Sequence, residues 1–520
     1  MVNWNLQDIQ QKLSDEIGAN KISTSRYERA VYSHDANSSL TGTMRTIANS
    51  VLFEFVPDMV VMARKIEDVQ SVLRLSHEKR IPVTVRGGGS FGYGTTVPAK
   101  GGIVLDLAYM DQILEIDEKN MFVTVQAGVK CHTLLEHLER KGLTLAPCPT
   151  LAPYATIGGW IATSGLGIGS YKYGSIMRQV SRMKILTPSG VLMETLDGNY
   201  FGNGYNLSWL YAGSEGTLGI IVEVTLRIKP KPEQLLTVVY GFPSLKEAQT
   251  TISGILKLDV APYFAEFLEE NYLRMIRTMG DDVPQVKALL LLVLEGDKIS
   301  IEKDNRLITE FCAKLVKEKK AFELRQVGNI LWEQRYNSAR VRKIGPAVIS
   351  EDVVLPINKL ENFVEFCYEL GAYYRLDVGI DGHLLAHNSL LLSPYFLVDE
   401  RRKGNLITSL PLVKDLVDES RRLGGRTWGS GLWNYFYLRY GKGQAAIEIM
   451  KRMKRAFDEF DVLNPGKTFR VRTKLGVPGF SIEDTIKFPV TSIIYNTVLW
   501  LASWVIKKIR QAISALWWRR

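Results

Sequence analysis

Short apolar runs with strand character alternate with helical periodicity along the first half of the chain. Between residues 59 and 130 the segments MVVMA, PVTVR, GIVLDL and FVTVQAG have the length and β-branched content of strands. Ile66 to Lys79 instead repeats its apolar positions every three to four residues and predicts a helix. A second helix is predicted from Cys131 to Lys141. After it, Ile157 to Gly174 carries Gly158, Gly159, Gly165, Gly167, Gly169 and Gly174, a density that marks backbone held close to something. Strand-like runs resume at RMKILTP and at GIIVEVTLRI, and Lys229-Pro230-Lys231-Pro232 then reads as a linker, which predicts a domain boundary near Pro232.

From Leu235 to about Trp433 the pattern changes to longer alternations. Helices are predicted at Ser244 to Leu256, Ile301 to Glu318 and Asn358 to Leu370, and strands at ALLLLVLEG, AVISEDVVL and NSLLLSPYF. This is a second α+β unit. A basic helix, Gly443 to Phe457, leads into DVLNPGKTF, after which the pattern is loop-like until the C-terminal tail. No repeat at a fixed period is visible.

Composition narrows the classes. With 520 residues, 46% hydrophobic and 23% charged, the chain is neither a disordered tail protein nor collagen-like. Its net charge is +10, but Lys507, Lys508, Arg510, Arg519 and Arg520 supply half of that, so the body is only mildly basic. No basic stripe interleaved with aromatics occurs outside the tail, which argues against a nucleic-acid partner. Cys131, Cys148, Cys312 and Cys367 form no CxxC pair, which disfavours an iron–sulfur cluster or zinc ribbon and leaves buried free thiols as the simpler reading. Met1 to Ala19 is polar and amphipathic rather than a secretory signal, so the bulk of the chain is expected in the cytoplasm.

The first glycine loop runs Arg86-Gly87-Gly88-Gly89-Ser90-Phe91-Gly92-Tyr93-Gly94 and is entered directly from PVTV. It formally contains GxGxxG at Gly87, Gly89 and Gly92. A Rossmann loop must open a helix, however, and here Thr95, Thr96, Val97 and Pro98 lead to another Gly-Gly pair and a strand. What remains is a strand–loop–strand whose amides can form a concave nest for a diphosphate. Thr156-Ile157-Gly158-Gly159 and Gly213-Ser214-Glu215-Gly216-Thr217-Leu218-Gly219 can supply further close backbone contacts. Each alone reads more readily as a tight turn; three together suit one long ligand.

RGGGSFGYG, GGIVLDLAYM, VTVQAGV, PTLAPYATIGGWIATSGLGIGSYKYGS, LTPSG and GSEGTLGIIVEVTLRIKPKPE, in this order, resemble the PCMH-type FAD-binding domain of the vanillyl-alcohol oxidase superfamily. SEDVVLPINKLENFVEF, DGHLLAHNSLLL and AIEIMKRMKRAFDEFDVLNPGKTF resemble the C-terminal half of its glycolate oxidase and D-lactate dehydrogenase branch. The resemblance implies an α+β fold of two FAD-holding subdomains (1–232), an inserted substrate or cap domain (233–435), a return to the FAD domain (436–475) and a tail (476–520). It implies that Arg86, Gly87, Gly88, Gly89 and Ser90 wrap the pyrophosphate. Pro149, Thr150, Thr156, Ile157, Gly158, Gly159, Ala162, Thr163, Gly216 and Ile221 would line the isoalloxazine and ADP portions, with Asn464 and Lys467 near the flavin. Some members attach FAD covalently through a histidine in the first loop or a cysteine in the second. Ser90 and the cysteine-free second loop predict non-covalent FAD here.

On the substrate side the branch carries a GHxGDGNxH-like run and a later GEHG run, which bind a divalent metal or abstract a proton. This chain has Asp381-Gly382-His383-Leu384-Leu385-Ala386-His387-Asn388 with irregular spacing, and Gly425-Arg426-Thr427-Trp428-Gly429 where the Glu-His pair would fall. Two histidines without a third ligand make a poor zinc site, so the reading is against a metal. LLAHNSLLL reads as strand, where an even separation puts His383 and His387 on one face, and one of them would be the base. Arg335 sits where the branch keeps a WxxR and suits a substrate carboxylate. Tyr395, Trp428, Trp433 and Tyr435 would wall a more apolar pocket. On residue type alone, the histidines and aromatics read as ordinary core, and Arg335 as a surface ion pair.

Between Lys487 and Lys507 run nineteen uncharged residues, just enough to cross a bilayer. Ile494, Val498, Leu501, Val505, Ile509, Ala512 and Leu516 fall on one helical stripe, while Lys507, Lys508 and Arg510 collect opposite and four tryptophans flank them. That favours an amphipathic helix lying on the cytoplasmic side of the membrane over a single span. The function expected is an FAD-dependent dehydrogenase that takes a hydride from a hydroxylated substrate, most simply a 2-hydroxy acid such as D-lactate or glycolate. It would pass electrons to a quinone or an iron–sulfur partner. The alternatives are an ether-lipid-forming enzyme similar to alkyl-dihydroxyacetone-phosphate synthase and a catalytically degenerate flavoprotein subunit.

Overall fold

The computed structural model describes residues 4–36, 55–195, 204–345, 347–385, 389–399, 403–429, 431–432, 434, 438, 442–467, 469, 471–472 and 478–479. Among these residues the strands form three principal sheets. The first orders Ile22–Ser23, Met59–Met62, Ile103–Asp106 and Val83–Arg86, with the last three mutually parallel. Helices Leu6–Ile17 and Ile66–Lys79 bury Ile9, Leu13, Val69, Val72 and Leu73 in the core of this sheet. The second sheet is antiparallel and orders Ile113–Asp117, Phe122–Gln126, Ile220–Arg227, Val180–Leu186 and Leu192–Glu194.

The third, antiparallel sheet belongs to the cap. Its order is Phe322–Glu323, Gln234–Phe242, Ala288–Gly296, Phe264–Glu269, Val378–Leu385, Ser389–Val398, Val353–Pro356 and Arg426–Thr427, with Ala347–Ser350 also paired to Ser389–Val398. Both of its faces are buried, which is why Ala288–Gly296 reads as an unbroken apolar run rather than an alternation. Leu290 and Leu292 pack under the helices Leu245–Ile255, Lys298–Lys317 and Leu360–Tyr374, where Ile252, Ile308 and Phe363 meet them. Leu289, Leu291 and Val293 face the opposite way, into one core with Val125, Ile157 and Val224 of the second sheet's layer. The cap sheet is therefore packed directly on the subdomain that carries the second and third glycine loops.

Two sequence readings change here. AVISEDVVL is two strands, Ala347–Ser350 and Val353–Pro356, separated by Glu351 and Asp352. LLAHNSLLL is not one strand either: Val378–Leu385 ends at Leu385, and Ser389–Val398 pairs antiparallel with it, Leu385 opposite Ser389. The even-spacing argument that put His387 on the face of His383 therefore fails, and His387 itself lies outside the described residues. A long helix, Lys403–Arg422, was not anticipated. Among the described residues no helix is long and apolar enough to cross a membrane, and the amphipathic stretch from Lys487 onward lies outside them.

After the cap, helix Gln444–Phe457 packs Met453 and Phe457 against the core that contains the second sheet, and the chain beyond it brings Val462 and Leu463 into the core of the first. Lys454 is buried with Asp458 and donates to the carbonyls of Thr217 and Leu463, both at 2.9 Å. Asp458 in turn accepts from the amides of Val462 (3.0 Å) and Leu463 (2.8 Å), and Leu463 bridges Val83 as a further parallel partner at the sheet edge.

Candidate active site

The three glycine loops meet. A Cβ added at Gly87 would lie 2.3 Å from Thr156 Oγ1, and one at Gly88 would lie 1.9 Å from the carbonyl oxygen of Tyr154. The first loop thus rests on the second with no room for a side chain. Gly216 has φ +70°, and a Cβ added there would lie 2.9 Å from Asn464 Nδ2 and 3.7 Å from Val85 Cβ. The Glu215 amide donates to Ala162 O at 2.9 Å, joining the third loop to the second. The Rossmann reading fails as expected: Val83–Arg86 leads through the loop to the parallel strand Ile103–Asp106 with no helix between.

Asn464 ties the C-terminal return to this centre. Its amide donates to Val83 O at 2.7 Å, its Oδ1 accepts from the Val85 amide at 3.1 Å, and its Nδ2 donates to Glu215 O. Lys467 is buried beside it, donating to Thr95 O and to Asn464 Oδ1 (3.1 Å). Burial pushes the Lys467 ammonium down to about 7. The Arg86 guanidinium is turned under its loop, donating to His34 O at 2.7 Å and lying 5.3 Å over the Tyr32 ring. The loop's contribution to a ligand is thus its backbone: the amides of Gly87, Gly88, Gly89 and Ser90 donate to no described residue.

Thr156 caps helix Ile157–Ala162 by accepting from Gly159 N, and Thr163 closes it by donating to Gly159 O at 3.2 Å. Gly158 is pressed against Ala127, whose Cβ would be 2.6 Å from an added one, and Ile221 is buried in the adjoining sheet core. Pro149 passes against Gly167, and Thr150 lies at the edge of a cavity that opens toward the cap.

That cavity joins several expected site residues to some that were not expected. His383 and Arg335 line it with Thr150, Glu266, Tyr272 and Arg340. His383 is buried, its ring lies 5.1 Å from that of Phe264, and its Nδ1 has no hydrogen-bond partner among the described residues. Burial lowers its pKa to about 4, so it is neutral at working pH. Arg335 is stacked between Trp332 (4.4 Å) and Tyr336 (4.5 Å), donates to Trp332 O at 2.8 Å, and has no carboxylate partner among the described residues. Tyr395 lies one layer back from the cavity, its hydroxyl 3.4 Å from Asp381 and its ring 5.9 Å from that of Tyr272. Trp428 donates its amide to Asp352 O at 2.8 Å next to Gly429, which packs on Phe91 of the first loop. Trp433 and Tyr435 lie outside the described residues.

Sequence reasoning missed Glu266, Arg340, Asp381 and Glu269. Glu266 is directly opposite His383 across the ladder between Phe264–Glu269 and Val378–Leu385. Burial pushes its carboxyl up to about 7 against the pull of Arg340, which is itself ion-paired with Asp281. Asp381 is held well above the usual carboxylate range by burial and by the charges of Glu266 and Asp352. Glu269, on the other face, accepts from the amides of Asn271 (2.8 Å), Tyr272 (2.7 Å) and Ile380 (2.8 Å) and from Tyr368, and so fixes the strand that carries His383. The available signal was Phe264-Ala265-Glu266-Phe267-Leu268-Glu269, a strand-like run with one carboxylate on each face. Among the described residues no three histidine, cysteine or acidic side chains group as a metal site.

Comparison with known proteins fits this arrangement. The family described as FAD binding domain matches residues 57–196, and that described as FAD linked oxidases, C-terminal domain, matches 231–468. The glycolate oxidase subunit GlcD of Bacillus subtilis is 30% identical over 479 residues, covering 89% of this chain and 97% of that protein. The chain belongs to the FAD-linked oxidases. Other relatives are a D-lactate dehydrogenase of Anaerostipes hadrus (29% identical, 79% of this chain and 89% of that one) and a D-2-hydroxyglutarate dehydrogenase of Stutzerimonas stutzeri (29%, 80% and 92%). Among solved structures, p-cresol methylhydroxylase (TM-score 0.76, 16% identity, 89% of this chain and 96% of that one) and an alkyldihydroxyacetonephosphate synthase (0.73, 19%, 89% and 86%) share the fold. This FAD-linked oxidase is thus a flavoprotein oxidoreductase acting on CH–OH groups. The open amides of Gly87 to Ser90 and the junction of three sequence-distant loops fit an extended cofactor carrying a diphosphate.

Proposed function

We propose that this FAD-linked oxidase converts a 2-hydroxy acid of the glycolate or D-lactate type to the 2-oxo acid and passes the electrons to an external quinone or iron–sulfur partner. The observation that carries the reading is a guanidinium without a carboxylate partner, Arg335, in one cavity with the neutral imidazole of His383. Arg335 would receive the substrate carboxylate as a two-pronged donor, held flat by Trp332 and Tyr336. His383 would hydrogen-bond the hydroxyl oxygen, and Leu268 and Leu331 would exclude water.

The amides of Gly87 to Ser90 would hold the FAD pyrophosphate non-covalently, with Thr156 to Gly159, Gly216 and Asn464 closing around the remainder. FAD bound there supplies the two-electron acceptor for the carbinol hydride. Among the described residues the donor set around His383 suits proton removal by side chains better than a divalent metal, for want of a third ligand there. Delivery of electrons at the membrane rests on the sequence pattern of the tail, whose apolar stripe and lysine-arginine face suit an anionic surface.

The test is anaerobic titration of the purified yellow protein with a panel of 2-hydroxy acids, polyols and lipid-linked alcohols. Rapid bleaching of the flavin by a small 2-hydroxy acid is expected. A colourless protein that takes up no FAD, or a flavin that none of the hydroxy acids bleaches, overturns the reading; the latter outcome favours chemistry without net oxidation.

A further inference from the structure

Resting on the hydroxy-acid reading, we propose that Glu266 is the group that accepts the substrate's hydroxyl proton, with His383 opposite it acting as a neutral hydrogen-bonding partner rather than as the base. Four observations converge. Glu266 and His383 are Cα partners in the ladder between the strands Phe264–Glu269 and Val378–Leu385, so their side chains leave the same face side by side. Both line the cavity that holds Arg335. Glu266 has no hydrogen-bond partner among the described residues. Two buried atoms on the same strand face, His383 Nδ1 and Asp381 Oδ1, also lack partners, which marks a place where a polar ligand completes the bonding.

Glu266 faces groups from each element packed against it. Arg340, from the turn Ser338–Lys343, attracts it; Tyr272, from helix Glu270–Thr278, and Asp381, from the adjoining strand, lie within electrostatic reach; and Leu291 opposes it without charge on the other neighbouring strand. A base works best when its conjugate acid is poised near the working pH. Glu266 is so poised at about 7, whereas His383, at about 4, is a weak base. In the balanced step the substrate O–H proton goes to the Glu266 carboxylate. The carbinol C–H bond would give up its electron pair as hydride, for which bound oxidised FAD would supply the two-electron acceptor, and the C–O single bond would become the carbonyl of the 2-oxo acid.

The experiment compares the FAD-loaded full chain with Glu266→Gln, which keeps size and polarity but cannot accept the proton. Flavin reduction by a 2-hydroxy acid that bleaches the wild type is followed anaerobically from pH 5 to 9, and binding of the 2-oxo acid is followed by calorimetry. Expected are a wild-type reduction rate that falls about tenfold per pH unit below neutrality, and a loss of at least 100-fold in Glu266→Gln. Flavin content and 2-oxo acid affinity should stay within threefold. Infrared difference spectra between pH 5.5 and 8.5 should show a carboxyl band in the wild type that is missing in the variant, a readout independent of turnover and of substrate identity. Reduction of Glu266→Gln within threefold of wild type, a wild-type rate flat from pH 5 to 8, or absence of that band overturns the proposal. Loss of wild-type reduction on chelation, restored by a divalent metal, also overturns it. If no 2-hydroxy acid bleaches the wild type while the band is present, the substrate reading fails and the proton site stands. Should the variant not retain FAD, the wild-type pH profile and spectra decide.

Discussion

Gly88→Ala is the sharpest perturbation of the loop junction proposed to hold FAD. The backbone at Gly88 is not in the left-handed region, so alanine meets no conformational objection there. Its Cβ would nevertheless fall 1.9 Å from Tyr154 O and 3.0 Å from Tyr154 C, both backbone atoms that no rotamer change can move. An ordinary contact needs roughly 3.4 Å or more, so the first and second loops must part by about 1.5 Å. Overpacking of this kind costs about 1–3 kcal/mol. Because the cost falls on the surface that would grip FAD, it should appear as a 5- to 150-fold rise in the FAD dissociation constant, at about 1.4 kcal/mol per tenfold. Gly142→Ala is the control. Gly142 has φ +71° with nothing within 4 Å of an added Cβ, so it should lose about 1–2 kcal/mol of fold stability and leave FAD affinity unchanged. The assay is quenching of free-FAD fluorescence on titration with stripped protein, with circular dichroism to verify the fold. Wild-type FAD affinity in Gly88→Ala, or equal losses in both variants, would refute the claim that these loops form the cofactor's bed.

Arg335→Gln should raise KM for the hydroxy acid about 10- to 100-fold through loss of about 1.5–3 kcal/mol of charge-assisted bonding, with little change in flavin content, and Arg335→Lys should rescue it poorly because a point charge lacks the flat fork; steady-state kinetics check this. Lys467 has a folded-state pKa lowered to about 7 from the usual 10.5, so between those values the unfolded chain binds the extra proton and stability rises with pH. Chemical denaturation at pH 7 and 9.5 should show that gain, about 3 kcal/mol, in wild type and not in Lys467→Met. Glu269→Ala strands the buried amides of Tyr272 and Ile380, the half-buried amide of Asn271 and the Tyr368 hydroxyl, so the denaturation midpoint should register a loss of about 3 kcal/mol, with substrate reduction falling as the His383 strand loosens.

The junction of the three glycine loops, the proposed cofactor bed, was legible in the sequence because its physical requirement is local. A Cβ at Gly88 would strike the backbone of Tyr154, and at Gly87 and Gly216 it would crowd the Thr156 and Asn464 side chains, so these positions carry the close approach of the loops in their own identity. The cavity was legible only in part. His383 and Arg335 came through family resemblance, while Glu266 stands more than a hundred residues before the histidine it faces, and no window of the chain contains both. The same non-locality split LLAHNSLLL: a period of two cannot distinguish one strand from a hairpin when no glycine or proline punctuates it. Register is what places the chemistry. A one-residue slip of Val378–Leu385 against Phe264–Glu269 would turn His383 toward the helix-covered face and bring Leu384 into the cavity. That slip is opposed by Ile380, Leu384 and Phe267 burying themselves under the helices and by the bond from the Ile380 amide to Glu269. The pairing of Glu266 with His383 on which the proposal rests is thus enforced from the opposite side of the sheet, by residues that carry no chemistry of their own.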